Sequence, residues 1–199
     1  DKDNPISAYE IVNNYTKEEL TNIFFKYGED KFSRNIAKKI IEYRENKPIE
    51  TTLELVEIIK SAVPMKFRKD KHPARQIFQA IRIEVNHELD VIEPALEQAL
   101  SILNVHGRVA VITFHSLEDR IVKNFFKEKC AIDKKLQGMP NIPSEYLPDY
   151  KLVINKAIVP TEDELKNNPR ARSAKLRVIE KIKWKGWYNE KSKKANQNF

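Results

Sequence analysis

The chain is poor in the residues that build cross-links and tight loops. One cysteine in 199 residues, Cys130, excludes an intramolecular disulfide and fits a reducing cytosol, so a cytoplasmic protein is expected. Cys130 itself reads as a half-buried thiol at a helix end. Four glycines leave no room for a glycine-rich nucleotide loop, and no P-loop, GxSxG or HExxH is present. The four histidines, His72, His87, His106 and His115, lack metal-ligand spacing, so no metal is expected. No apolar run approaches the ~18 residues that span a bilayer, and no membrane partner is expected. Position 1 is Asp rather than Met, so the lack of a targeting signal carries little weight.

Charge is present in both signs but unevenly placed. Residues 1–150 hold 23 Lys and Arg against 24 Asp and Glu, whereas residues 151–199 hold 13 against 5. The whole excess of +7 therefore sits in the last quarter, which points to a polyanion such as an RNA backbone, or to a solvated tail. A second basic cluster, Lys66, Arg68, Lys69, Lys71 and Arg75, contains Asp70 as its only acid.

The first ~70 residues read as helices opened by Ser/Thr-x-x-Glu capping boxes. The boxes are Ser7 with Glu10, Thr16 with Glu19, and Thr51 with Glu54, and Asp30 precedes a further helix. His72-Pro73 starts another, and residues 88–103 make the next. The pattern then changes. Val109 to Phe114 is continuously apolar, the mark of a strand buried on both faces. A helix over 117–129 follows, then strands over 151–155 and 176–182 with a short helix from Thr161 between them. Three strands are few for an enzyme built on a parallel sheet. They leave an open edge, which predicts self-association, and suggest the carboxyl-terminal part of a larger protein.

Chemistry is expected where Phe114 gives way to His115-Ser116, because open α/β sheets bind ligands at the carboxyl ends of strands. Ser116 is placed to cap the next helix, with Asp119 three residues on. These residues read either as a plain capped turn or as hydrogen-bonding groups beside a substrate. Nucleophilic catalysis is not expected, since no orienting acid is evident. Arg75, Arg82 and Asn86 share one helix face, suited to salt bridges or to RNA phosphate. Arg170, Arg172 and Lys175 fall in a loop before the last strand, and guanidinium groups there suit bidentate phosphate contact. Trp184, Trp187 and Tyr188 read as a hydrophobic anchor for the tail or as stacking groups.

Three stretches carry a resemblance: His72-Pro-Ala-Arg-Gln-Ile-Phe-Gln-Ala-Ile-Arg-Ile-Glu-Val-Asn86, Phe114-His-Ser-Leu-Glu-Asp-Arg120, and Asn168-Pro-Arg-Ala-Arg-Ser-Ala-Lys-Leu-Arg177. In that order and spacing the chain resembles the bacterial ribosomal RNA small-subunit methyltransferase H family (MraW type). Phe24 to Ser33 and Lys47 to Thr52 resemble it too. The resemblance implies methyl transfer from S-adenosylmethionine to N4 of a cytidine in the decoding region of 16S rRNA, with the small ribosomal subunit as partner. The implied fold is α/β, a Rossmann-like class I methyltransferase domain with an inserted all-helical domain. Residues 1–88 would be the insertion, which helps recognise substrate, and residues 89–199 the C-terminal portion of the catalytic domain. The family's glycine-rich cofactor loop, its ribose-binding acid and its Asp-Leu-Gly-Val-Ser-Ser stretch match nothing here. No cofactor-binding residue is therefore assigned in this chain, which is expected to bind the cofactor weakly or not at all and to be inactive alone. His115 and Ser116 remain as base-positioning candidates. The alternative is a non-catalytic RNA-binding or ribosome-assembly module, and a weaker third reading is a helical interaction fragment with no nucleic-acid role.

Overall fold

The computed structural model describes residues 6–67, 73–136, 138–143 and 146–183. Arg68, Lys69, Asp70, Lys71 and His72 lie outside the described residues, as do Trp184, Trp187, Tyr188 and the tail after them. The chain divides into two units, Asp1–Glu88 and Leu89–Phe199.

The first unit contains α1 (Ala8–Asn14), α2 (Lys17–Lys26), α3 (Ser33–Arg44), α4 (Thr52–Ala62) and α5 (Ala74–Asn86). Local sequence sets most of their starts. The Glu10 N–H donates to Ser7 Oγ at 3.2 Å, and Thr16–Glu19 and Thr51–Glu54 form complete reciprocal capping boxes. Glu54 also takes N–H bonds from Glu50 and Thr51 and an ion pair from Lys47 at 2.6 Å. Together these hold its carboxyl down at about 2. Thr51→Ala is expected to cost the unit about 1 kcal/mol, read as a lower urea midpoint at unchanged slope. The helices bury one apolar stripe each. Ile11, Leu20, Phe24, Ile36, Ile40, Ile59 and Ile77 are all fully buried in one cluster.

The second unit contains α6 (Ile92–Ser101), β1 (Arg108–Thr113), α7 (Ser116–Lys129), β2 (Tyr150–Leu152), α8 (Glu162–Asn167) and β3 (Lys175–Lys181). Helix α6 begins at Ile92 rather than 88. Pro94 lacks an N–H and belongs in a first helical turn, where that donor has no partner anyway. Strand β2 is shorter than expected, although Val153 N–H still reaches Val178 O at 3.1 Å.

The sheet order is β1-β3-β2, and both pairings are antiparallel. The last strand made is thus the middle one, and β1 and β2 run parallel to each other on either side of it. One face packs on the helices: Val109, Val111, Leu152 and Ile179 join Leu96, Leu100, Val122, Phe125 and Phe126. The other face is open, with Ile112 59% and Ile158 51% exposed. This corrects the expectation that β1 is buried on both faces. An apolar run signals cover on both sides, but within the Leu89–Phe199 unit the apolar cluster forms on one face and Ile112 on the other stays exposed. No strand pairs with the outer edge of β1 among the described residues. No helix among them is long and apolar enough to cross a membrane.

Candidate functional site

At the carboxyl end of β1 the chain turns directly into α7, and the cap of that helix is His115, not Ser116. His115 keeps an extended backbone (φ −139°, ψ 166°), and its Nδ1 accepts the Glu118 N–H at 3.3 Å. Glu118 Oε2 reaches back to accept the N–H groups of Phe114 at 2.8 Å and His115 at 3.2 Å. Ser116 is the first helical residue and is exposed. A capping box needs a three-residue step to Glu or Gln. From His115 that step lands on Glu118, whereas from Ser116 it lands on Asp119, which is engaged elsewhere.

This geometry fixes the imidazole. With Nδ1 accepting a backbone N–H, the proton of a neutral ring sits on Nε2. Nε2 lies 3.2 Å from Glu118 Oε1 but is turned so that no hydrogen bond forms, and it is buried without a partner. The preceding residue, Phe114, is 56% exposed. The turn therefore combines an exposed aromatic side chain with a buried ring nitrogen that has no hydrogen-bond partner, and neither is equipment for nucleophilic attack.

Asp119 anchors the turn to β3. Its Oδ1 receives Arg177 Nε at 2.7 Å, and its Oδ2 receives Arg177 Nη2 at 3.2 Å and Lys175 Nζ at 3.1 Å. The side chains of Asp119 and Arg177 are only 10% and 15% exposed. Hydrogen bonds from Arg177, outweighing burial, hold the Asp119 carboxyl below the usual carboxylate range. Sequence reading missed this cluster because its members stand 56 and 58 positions apart. A second one was missed for the same reason: Glu180, 5% exposed, takes Arg108 at 2.8 Å and Lys151 at 3.0 Å.

The basic candidates separate into two groups. Arg82 forms a two-pronged pair with Glu88, 2.8 Å and 2.9 Å, and Asn86 Nδ2 donates to the same carboxylate at 3.0 Å. Lys175 is the first residue of β3, not part of a loop, and its ammonium faces Asp119. Arg75 on α5 is exposed, as are Arg170 and Arg172 in the 3₁₀ turn Pro169–Ser173. None of these three forms an ion pair among the described residues.

Over residues 1–182 the chain matches the MraW methylase family. It belongs to that family. It is 52% identical over 183 residues to a protein of Limosilactobacillus fermentum (strain NBRC 3956 / LMG 18251) named ribosomal RNA small subunit methyltransferase H. The match covers 92% of this chain and 58% of that protein.

The cofactor that membership implies does not fit the described residues. A Cβ on Gly28 would meet Phe24 O at 2.6 Å, and one on Gly107 would meet Asn104 O at 2.9 Å. Gly28 is spent on close approach to its own turn and to Gln76 O of α5, which a Cβ would meet at 3.0 Å, and Gly107 on close approach within its own turn. Gly138 stands in an open turn with φ +91°, far in sequence from the β1–α7 turn. None of the three forms a cradle at the carboxyl end of β1. Cys130 ends α7, and burial pushes its thiol up to about 11, well away from a reactive thiolate. Among the described residues no group of three or more His, Cys, Asp or Glu is placed to hold a metal.

Proposed function

We propose that this chain serves an S-adenosylmethionine-dependent rRNA methyltransferase that modifies N4 of a cytidine in the decoding region of 16S rRNA. Family membership across residues 1–182 carries the reading. Leu89–Phe199 is the C-terminal portion of its Rossmann-like catalytic domain, and Asp1–Glu88 is the inserted helical domain that helps recognise substrate. The open edge and bare apolar face of β1 support a sheet that continues beyond these three strands. The main cofactor contacts come from residues other than those of this chain.

Within that scheme the β1–α7 turn positions the target base. The Phe114 ring lies against it, the exposed Ser116 offers it a hydrogen bond, and His115 Nε2 reaches it only when the imidazole turns out of its buried position. Methylating an exocyclic amine depends on holding that nitrogen in line, and misplacement by ~1 Å costs about a hundredfold in rate.

The test is a chimaera that adds to this chain the part of the Limosilactobacillus fermentum protein it does not cover. Methyl label is expected to enter unmodified small subunits, and none entering with both parts folded overturns the reading. In that chimaera His115→Ala is expected to lower kcat by about a hundredfold. His115→Asn keeps a good helix cap, so it restores stability but not rate. Recovery of full rate by Asn would reduce His115 to a cap.

The second reading, a non-catalytic RNA-binding or assembly module, draws on the missing cradle and on the exposed Arg75, Arg170 and Arg172. Its signature is salt-dependent RNA binding with no methyl transfer by the chimaera. In either reading Arg170→Ala with Arg172→Ala is expected to flatten the salt dependence on single strands, by about 0.7 for each phosphate that is no longer neutralised. Self-association through β1 is proposed as well. Sedimentation should show oligomers that Ile112→Lys disperses.

A further inference from the structure

The helical unit carries a cleft that the β1–α7 turn leaves out of account. It runs along one side of α2, from Lys17 to Phe25, and faces the α2–α3 turn and the start of α3; it has a volume of about 1030 Å³ and is lined by Lys17, Glu18, Asn22, Phe25, Asp30, Lys31 and Arg34 among others. Three of its features are unusual for a helical surface.

The first is Phe25. It follows the fully buried Phe24 and is 69% exposed, so its ring lies on the cleft wall rather than in the core. The second is Asp30, which is only 6% exposed. Its Oδ1 accepts the Phe32 N–H at 2.6 Å, and its other oxygen takes no hydrogen bond among the described residues. Burial pushes this carboxyl up, against the Phe32 N–H and the Lys31 charge. A carboxylate so short of donors favours a ligand that brings an N–H. The third is the cationic rim. Lys31 Nζ is held 3.7 Å from the centre of the Phe67 ring and 5.2 Å from that of Phe32, and those rings lie 5.3 Å apart. Lys17 and Arg34 complete the rim.

We propose that this cleft is a base-binding subsite for single-stranded RNA. Phe25 is the stacking face, the Asp30 carboxylate accepts an amino hydrogen from the base, and Lys17, Lys31 and Arg34 take the flanking phosphates. The chemistry commits to this occupant. A bare phosphate would meet Asp30 and Glu18 as repulsion, and a purely apolar partner would leave Asp30 unsatisfied. A nucleotide satisfies ring, acceptor and cations together. The proposal rests on the rRNA reading above and names where the helical unit grips its substrate. Adenine and cytosine carry an exocyclic amine and uracil does not, so a preference follows.

The experiment measures fluorescence anisotropy of labelled RNA hexamers of adenylate, cytidylate or uridylate on the 199-residue chain at ~50 mM salt. The unaltered chain is expected to hold the adenylate and cytidylate hexamers more tightly than the uridylate one. Phe25→Ala weakens them by about tenfold, and Phe25→Trp restores them. Asp30→Asn keeps the acceptor for Phe32 N–H but turns the free acceptor into a donor, so it erases or reverses the base preference. Unchanged affinities in Phe25→Ala overturn the subsite. If Arg170→Ala with Arg172→Ala abolishes that same binding, the RNA reading survives without it. No binding by the unaltered chain overturns the subsite and the RNA-binding reading of this chain together, while methyl transfer by the chimaera still decides the enzymatic one.

Discussion

Asp119→Ala is expected to destabilise the Leu89–Phe199 unit by about 3–5 kcal/mol, the cost of breaking a buried ion pair by deleting one partner. Two features put the effect at the top of that range. Arg177 is 15% exposed and both its contacts go to Asp119, so the variant strands a guanidinium inside the unit. Asp119 also ties α7 to β3, so its loss frees the turn that holds His115. Replacing Asp119 and Arg177 together by Leu removes the stranded charge, and Lys175, 41% exposed, turns to water. Thermal unfolding should therefore show a large drop for the single variant and substantial recovery for the double. A single variant within 1 kcal/mol of the unaltered chain would show that the pair contributes little. Acid acts through the same group. The folded carboxyl lies below its ordinary value, so its contribution is complete above ~4. It is lost as the pH falls from there through the folded value. Glu180, held down by Arg108 and Lys151, adds in the same direction.

Phe24→Ala is expected to cost the Asp1–Glu88 unit about 3–5 kcal/mol. The ring is fully buried at the centre of the helical cluster, and the Phe24 carbonyl receives the N–H groups of Gly28 and Asp30 that close the α2–α3 turn. Because each unit has its own apolar cluster, calorimetry should resolve two transitions. Phe24→Ala should lower one and Asp119→Ala the other. A single transition moved equally by both substitutions would mean the two clusters melt as one.

What was legible in the sequence was local. The capping boxes at Thr16 and Thr51 are three-residue patterns, and the structure contains both. The family was legible too, because long motifs in register leave little freedom. The cap at β1 was misplaced by one residue, since serine is the commoner cap and histidine does that work here through Nδ1. The burial of β1 was overestimated because a strand's second face depends on what covers it, and six residues of sequence do not record that. The Arg82–Glu88 pair spans six positions, off the helical three-and-four spacing. It forms because His87 adopts a left-handed conformation (φ 50°) that ends α5 and turns Glu88 back. The anchors Asp119–Arg177 and Glu180–Arg108 join strands and helices that only the completed sheet brings together.

The strand order also sets a timetable. Among the three described strands, neither β1 nor β2 has a partner until Lys175–Lys181 emerges, because that segment lies between them. At ~5–20 residues per second, roughly ninety residues separate the end of the helical unit from that moment. For several seconds of synthesis a nascent chain carries a finished helical unit followed by an apolar segment whose β3 partner has not yet been made. That interval, more than the folded state, is where chaperone demand and misassembly should concentrate.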